Sequence, residues 1–309
     1  MQKIKENSEN NNYQPILQGV PINSLFTVFD TTPSFDRFTN SADFTISNVQ
    51  IKIKNFQNFT LNNTIFRVFD YILLKMTKLI PYNKIDFVTD DKLSNVQIVK
   101  ATLADFMHTC NLSNHTKART QFLDALQFFE ATSLHWAEPL KRKKKVERID
   151  FDSRIISAFK PVRGAFLIQF DLKFLRYLSS FAYIMPYPIK ILSVDFKHNP
   201  HAFLLARKLA LHLNMNYGKT NSNIISVKTL LEALPDLPKY HEVLNKGKHV
   251  KQLIIEPFER DLNYLVKIGI LQNWHYTAEV NYRFKKWKTL SLEFYFIDYP
   301  TRNKDKQTK

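Results

Sequence analysis

The chain has 309 residues, 44% of them hydrophobic, and a formal net charge of +16. This length suits one large domain or two ordinary ones, and we expect two. A positive charge of this size indicates an acidic partner. Nucleic acid is the leading candidate, and an anionic membrane surface is the alternative. The five glycines are scattered, which argues against a glycine-rich phosphate loop. The single cysteine excludes an intramolecular disulfide and a multi-cysteine zinc site.

Residues 1–20 are polar and rich in asparagine, a composition typical of a disordered tail. They lack the apolar core of a signal peptide, and no run of 18 apolar residues follows. We therefore expect a cytoplasmic protein that does not bind or span a membrane. Residues 21–60 predict an N-terminal extension, in which the alternating run FTISNVQIKIKNF (44–56) favours strands.

Residues 61–180 carry the pattern of a first module. A helix capped by Asn62 or Asn63 is expected through TIFRVFDYILLKMTKLI (64–80), because apolar residues recur there at helical spacing. The module continues with a strand (96–101) and two helices (102–126). The segment of Trp136 and the apolar segments 155–159 and 165–170 follow, and they predict a hairpin with a basic tip.

The stretch TLADFMHTCNLSNHTKARTQFLDAL (102–126) predicts two short helices separated by a polar turn, with Thr102 and either Ser113 or Asn114 as their N-caps. Polar residues at the start of the second helix lie away from its apolar stripe. A recognition helix presents such residues to base edges and phosphates, although a solvated helix face has the same pattern. The DNA-binding candidates in this stretch are Asn114, His115, Thr116, Lys117 and Arg119.

A basic run, KRKKK, follows Trp136 and is expected at the tip of the hairpin. There it would contact phosphates or a narrow A·T-rich minor groove, which attracts Arg and Lys. A solvated loop is the alternative. The candidates are Lys141, Arg142, Lys143, Lys144 and Lys145.

Residues 181–300 repeat the plan, and residues 301–309 form a basic tail. Helices are predicted through HAFLLARKLALHLNMNY (201–217), after a Ser226 cap, and over 250–269, where Pro257 must start or kink the helix and Gly269 ends it. A second hairpin surrounds NYRFKKWK (281–288), whose aromatic residues are expected to pack in the interior. The candidates for DNA contact in this module are Lys246, Lys248, His249, Lys251, Arg283, Lys285, Lys286 and Lys288.

Signals of catalysis are weak. His198 and His201 in HNPH have no third metal ligand nearby, and the motif is typical of a helix start. Asp150 and Asp152 could bind magnesium in a nuclease, but the alternation of a strand explains them equally well. We therefore predict a protein that is not an enzyme, with no catalytic residues, no metal and no cofactor.

The element order resembles that of the tandem winged-helix replication initiators of bacterial plasmids and mobile elements, over about residues 60–297. Residues 102–126 carry the resemblance together with RGAFLIQFDLKFLRYLSS, AFLLARKLALHL, ISVKTLLEALPDL and IIEPFERDLNYLVKIGILQNW. It implies an α+β fold of two tandem winged-helix domains, mainly helical with small antiparallel hairpins. It also implies binding to origin repeats in double-stranded DNA, recruitment of host replication proteins, and homodimerisation. A winged-helix transcriptional repressor and a metal-dependent nuclease or strand-transfer enzyme are the alternatives.

Overall fold

The computed structural model describes residues 12–26, 34–36, 40–46, 49–54, 56, 59, 62–79, 98–142, 145–180, 182–234, 237–245, 249–278 and 287–300. The chain divides into two compact units. The N-terminal unit comprises residues 16–184, and the C-terminal unit comprises residues 185–309 together with residues 1–15. Strands β1 (Tyr13–Gln18) and β10 (Tyr183–Pro188) pair with each other in a two-stranded sheet.

Two antiparallel sheets and a group of helices build the N-terminal unit. The described helices are α1 (Val20–Leu25), α2 (Asn63–Leu79), α3 (Leu103–Thr109), α4 (His115–Ala131) and α5 (Leu172–Ser180). The larger sheet has the order β2 (Ser34–Asp36), β3 (Ser41–Ile46), β4 (Val49–Lys54), β6 (Thr132–Arg142) and β7 (Lys145–Arg154). The smaller sheet has the order β5 (Ile98–Thr102), β9 (Ala165–Phe170) and β8 (Ile156–Val162).

The predicted two-helix stretch forms from its local capping signals. The Thr102 hydroxyl accepts a hydrogen bond from the backbone N–H of Asp105 at 3.2 Å, which starts α3. The Asn114 side-chain oxygen accepts one from the backbone N–H of Lys117 at 2.8 Å, which starts α4. Asn111 turns the chain between the helices with φ of 51°. Each cap satisfies a backbone donor that a helix start leaves without an intrahelical partner.

The core of this unit is aromatic, and the Phe122 ring of α4 lies inside it. This ring is fully buried, stacks on Phe166 of β9 with 4.8 Å between centroids, and meets Phe106 of α3 edge to face at 4.8 Å. Tyr71 of α2 contacts the same ring at 6.0 Å. The Phe122 side chain of α4 thus contacts α2, α3 and the smaller sheet. These contacts keep the opposite face of α4 toward solvent.

The extension and a long hairpin share the larger sheet. Along β4, Val49, Ile51 and Ile53 are buried, as the predicted alternation requires. Val49 lies opposite Trp136 of β6 in the antiparallel pairing. Trp136 is buried and stacks on Phe151 of β7 with 4.9 Å between centroids. The sequence pattern does not predict this five-stranded sheet.

The predicted basic hairpin is in fact two hairpins, which corrects the expected element order. The first joins β6 to β7, with Arg142 paired to Lys145, so the run KRKKK lies at its tip, in the larger sheet. The second joins β8 to β9 in the smaller sheet and turns at Arg163 and Gly164, where Gly164 has φ of 68°. A strand's partner depends on contacts distant in sequence, so the order of strands along the chain did not assign the basic run to its sheet.

The C-terminal unit repeats the plan of the smaller sheet and its helices. Its described helices are α6 (Ala202–Met215), α7 (Val227–Leu231), α8 (Tyr240–Asn245) and α9 (Glu256–Lys267), with 3₁₀ turns at Ile189–Ser193 and Trp287–Thr289. A sheet of order β11 (Ile224–Ser226), β13 (Ser291–Phe296) and β12 (Leu271–Tyr276) follows the order of β5, β9 and β8. In both sheets the strand that comes last in the chain lies in the middle. It pairs on one side with the strand that comes first in the chain and on the other side with the strand that immediately precedes it. By this order, β12, which contains Trp274, corresponds to β8 and not to β6, which contains Trp136.

Helix α9 has the predicted limits at both ends. A π turn over Lys251–Ile255 precedes it, and Pro257 lies in its first turn. At its end, Gly269 has φ of 72° and donates to the Val266 carbonyl at 3.0 Å. The N–H of Ile270 donates to the Leu265 carbonyl at 3.0 Å. These two bonds close the helix as a Schellman motif, which requires a residue that tolerates positive φ.

A buried carboxylate connects α9 to the start of α6. Asp261 is fully buried, and one of its oxygens accepts a hydrogen bond from the backbone N–H of His201 at 2.8 Å. Its other oxygen accepts from the Arg260 side chain at 2.9 Å. The negative charge lies at the positive end of the α6 dipole, which favours it there.

Trp287 confirms that an aromatic residue of the second hairpin packs in the interior. Its ring is fully buried, stacks on Tyr240 with 5.9 Å between centroids and meets Phe258 at 5.5 Å. Its indole N–H donates to the Tyr276 hydroxyl at 3.0 Å. Residues 279–286 lie outside the described residues. The described elements confirm the predicted α+β class with antiparallel sheets, and within them no helix is long and apolar enough to cross a membrane.

Candidate nucleic-acid interface

The start of α4 presents the predicted polar residues to solvent. Asn114, His115, Thr116, Lys117 and Arg119 are all exposed. Ala118, between the last two, is buried and marks the inward face. The Asn114 oxygen already accepts the capping bond, so the amide nitrogen of that side chain is the part left to face a ligand. The structure thus brings these five candidates together on one exposed helix start, where backbone N–H groups also favour an anion.

Neither Lys117 nor Arg119 forms an ion pair with a described carboxylate. Between residues 102 and 126 the acidic residues are Asp105 and Asp124. Asp105 lies 2.6 Å from the Lys75 ammonium and accepts a hydrogen bond from the Tyr71 hydroxyl at 2.5 Å. Burial alone would raise the pKa of Asp105, but these two hydrogen bonds outweigh it and the pKa is lowered. The Asp105 charge is therefore balanced by Lys75.

The turn between β8 and β9 presents basic residues that sequence analysis did not select. Lys160 and Arg163 are exposed, together with Val162 and Gly164. The Gly164 carbonyl accepts a hydrogen bond from the N–H of Leu103 at 3.1 Å, which holds this tip beside the start of α3. A glycine between two strand-like runs, Gly164, is the sequence signal that could have located the turn.

The run KRKKK lies at the end of the long hairpin of the larger sheet. Pairing is continuous from Ser133 opposite Arg154 to Arg142 opposite Lys145. At about 3.3 Å per residue, strands of this length carry their tip roughly 30 Å from their base. The backbone positions of Lys141, Arg142 and Lys145 are described, whereas Lys143 and Lys144 lie outside the described residues.

The start of the last helix in the C-terminal unit differs from that of α4. His249 is exposed and has φ of 62°. Lys251 is exposed, and its ammonium lies 4.0 Å from the Glu256 carboxylate, which partly neutralises it. Lys288 is half-buried, with its ammonium 6.0 Å from the centre of the Tyr240 ring. The remaining candidates lie outside the described residues: Lys246, Lys248, Arg283, Lys285 and Lys286.

The histidines of HNPH have structural roles. His201 is the buried residue that precedes α6, and exposed His198 lies 2.5 Å from the Asp195 carboxylate. Asp150 and Asp152 are exposed on β7, at alternate positions of the strand. Within the described part of the chain, no group of three His, Cys, Asp or Glu residues could hold a metal ion.

Comparison with known proteins identifies the fold. No family model matches the chain, and no curated protein matches it in sequence. The crystal structure of the Pi initiator protein in complex with iteron DNA is similar over 94% of this chain and 100% of its own, with 14% identity and a TM-score of 0.52. A structure of RctB domains 2-3 is similar over 88% of this chain and 97% of its own, with 10% identity and a TM-score of 0.45. The resemblance predicted from the sequence is confirmed at the level of the fold, since the chain has the fold of the Pi initiator protein.

Proposed function

We propose that this protein binds double-stranded DNA sequence-specifically and initiates replication of a plasmid or mobile element. To initiate replication, it binds origin repeats, forms homodimers and recruits host replication proteins. The observation that carries the proposal is the fold shared over nearly the whole chain with the Pi initiator protein, which was crystallised with iteron DNA. The net charge of +16 supports a polyanionic partner.

In this proposal each unit contributes one winged-helix domain. In the N-terminal unit, α3 and α4 are the helix-turn-helix, and the β8–β9 hairpin is the wing. In the C-terminal unit, the π turn and α9 form the recognition helix, and β12 and β13 form the wing. Each unit contains a long helix, a strand, a short helix, a longer helix and a hairpin in this order, with β6 and β7 inserted in the N-terminal unit and α8 in the C-terminal unit. This shared order supports the assignment, because a winged helix places its second helix in the major groove.

The exposed start of α4 supports a role in phosphate binding. Lys117 and Arg119 can neutralise backbone phosphates, and the helix N-terminus adds N–H donors. If about 6–10 phosphates are neutralised by the whole protein, affinity should fall about 10³- to 10⁵-fold between 50 and 200 mM salt. Binding that does not depend on salt would contradict the electrostatic part of the proposal.

Enrichment of one sequence from a pool of short duplexes with a randomised centre tests sequence-specific binding. The initiator role is then tested by supplying the protein in trans to a plasmid that carries the DNA flanking its gene. Replication of that plasmid supports an initiator, whereas repression of a promoter without replication supports the transcriptional repressor. The proposed mechanism is binding without catalysis, so supercoiled DNA incubated with the protein and magnesium should remain supercoiled. Nicking would support the nuclease alternative.

A further inference from the structure

An irregular turn begins the recognition helix proposed for the C-terminal unit. Residues Lys251–Ile255 form a π turn, and Pro257 follows in the first turn of α9. Proline has no N–H, and its ring crowds the carbonyl four residues earlier, which belongs to Leu253. A π turn contains one residue more than an α-helical turn, so it accommodates the proline without ending the helix.

The extra residue changes which side chains face outward. Ile254, Ile255 and Phe258 are fully buried, and α-helical spacing counted back from Phe258 would also place residue 251 on the buried side. Val250 is buried there instead. The extra residue thereby turns Lys251 outward beside Gln252 and Leu253, which face outward under α-helical spacing as well. We call these three exposed side chains the reading triplet: Lys251, Gln252 and Leu253.

The triplet has the chemistry of a surface that contacts base edges. Leu253 is 46% exposed, whereas Leu262 and Leu265 of the same helix are fully buried. In the described part of the chain, the Gln252 amide has no hydrogen-bond partner within the protein. An exposed leucine beside a solvated amide offers an apolar contact together with hydrogen-bond donors and an acceptor, which suits a mixed polar and apolar ligand surface.

We infer that the reading triplet recognises A·T base pairs in the major groove. The Gln252 amide would bond adenine at N6 and N7, and Leu253 would pack on the C5-methyl group of thymine. This inference rests on the proposed function and names the base pairs that the C-terminal unit reads.

The test uses the full chain and the duplex that it enriches from a randomised pool. Each thymine is replaced in turn by uracil, which lacks the methyl group, and each adenine by 7-deazaadenine, which lacks N7. The wild-type protein should lose about 3- to 4-fold in affinity at one thymine, the value for burial of one methyl group. It should also lose affinity at one adenine.

Substitution of the triplet should remove these sensitivities. Leu253→Ala should bind the thymine and uracil duplexes equally. Gln252→Ala should lose roughly 5- to 140-fold on the enriched duplex and no longer respond to 7-deazaadenine. The matched controls are Leu79→Ala on α2, where the side chain is 47% exposed, and exposed Gln127→Ala on α4. Both controls should retain the wild-type sensitivities.

The outcomes separate this inference from the proposed function. If the wild-type protein enriches no sequence from the pool, the proposed function fails and the inference fails with it. If it enriches a sequence but every uracil and deazaadenine duplex binds normally, the inference alone is overturned. It is also overturned if Leu253→Ala and Gln252→Ala keep the wild-type sensitivities. The analogue measurements on wild-type protein need no variant, so they decide the question even if a substitution impairs folding.

Discussion

Replacement of Lys117 and Arg119 by glutamine should lower the salt dependence of DNA binding by a calculable amount. Both side chains are exposed at the start of α4, and neither forms an ion pair with a described residue. Each phosphate contact contributes about 0.9 to the slope of log K against log salt, so two lost contacts should lower the slope by about 1.8. Between 50 and 200 mM salt, the affinity of the variant should therefore fall by a factor roughly 12-fold smaller than the factor for the wild-type protein.

Fluorescence anisotropy of the enriched duplex, titrated at several salt concentrations, measures this slope directly. The control is the variant Lys54→Gln with Lys173→Gln, which removes two exposed charges from β4 and α5 of the same unit. A local contact predicts a reduced slope for the α4 variant and a nearly unchanged slope for the control. Equal reductions in both variants would refute the contact, because they would show that net charge alone governs binding. An unchanged slope in the α4 variant would refute it as well.

Four further predictions concern stability and reactivity. Asn114→Ala should lower the free energy of unfolding by about 1 kcal/mol in urea denaturation, since it removes the α4 cap, and an unchanged midpoint would argue against that cap. Phe122→Ala should lower it by about 3–5 kcal/mol in the same assay, because the ring is fully buried; an undetectable cost would contradict its core position. Although burial alone would raise it, the pKa of Asp105 is lowered by hydrogen bonds from its lysine and tyrosine neighbours. The ionised group therefore stabilises the fold above its ordinary pKa of 3.8, and that stability is lost as the pH falls through the lowered pKa. Wild-type protein should accordingly lose more stability in acid than Asp105→Asn, and parallel losses would exclude this linkage. Burial raises the pKa of the Cys110 thiol to about 12, so iodoacetamide should label it at neutral pH only after unfolding, and rapid labelling of folded protein would contradict its burial.

The start and end signals of the helices were predictable because they are local. Thr102, Asn114 and Ser226 each cap a helix by accepting from the backbone N–H three residues later. Gly269 ends α9 through bonds that reach back only a few residues. Such signals depend on side-chain type and near neighbours, both of which can be read from the sequence.

The pairing of strands was not predictable in the same way. An alternating run such as 49–54 has one buried face, but its alternation does not name a partner strand. Its partner β6 lies about eighty residues further along the chain, since Val49 pairs with Trp136. For the same reason, the sequence pattern merged two hairpins into one and overlooked Arg163 at the turn of the smaller sheet.

The DNA-binding candidates show the same division. The face of α4 followed from helical periodicity, since Ala118 and Phe122 are buried and the predicted polar residues between and before them are exposed. At the last helix, however, the π turn shifts the outward face by one residue. Gln252 and Leu253 face outward with or without this shift, and they became candidates because the structure shows both to be exposed. Pro257 is the sequence feature that accompanies the turn.

By itself, the sequence determined the net charge of +16 and the limits of several helices. Charge and composition need no fold, and helix caps act over three or four residues. Tertiary structure decided which hairpin joins which sheet, where the basic run lies and which side chains of the last helix face solvent. These depend on packing between distant segments, because burying one face of a strand or helix requires a partner that local sequence does not specify.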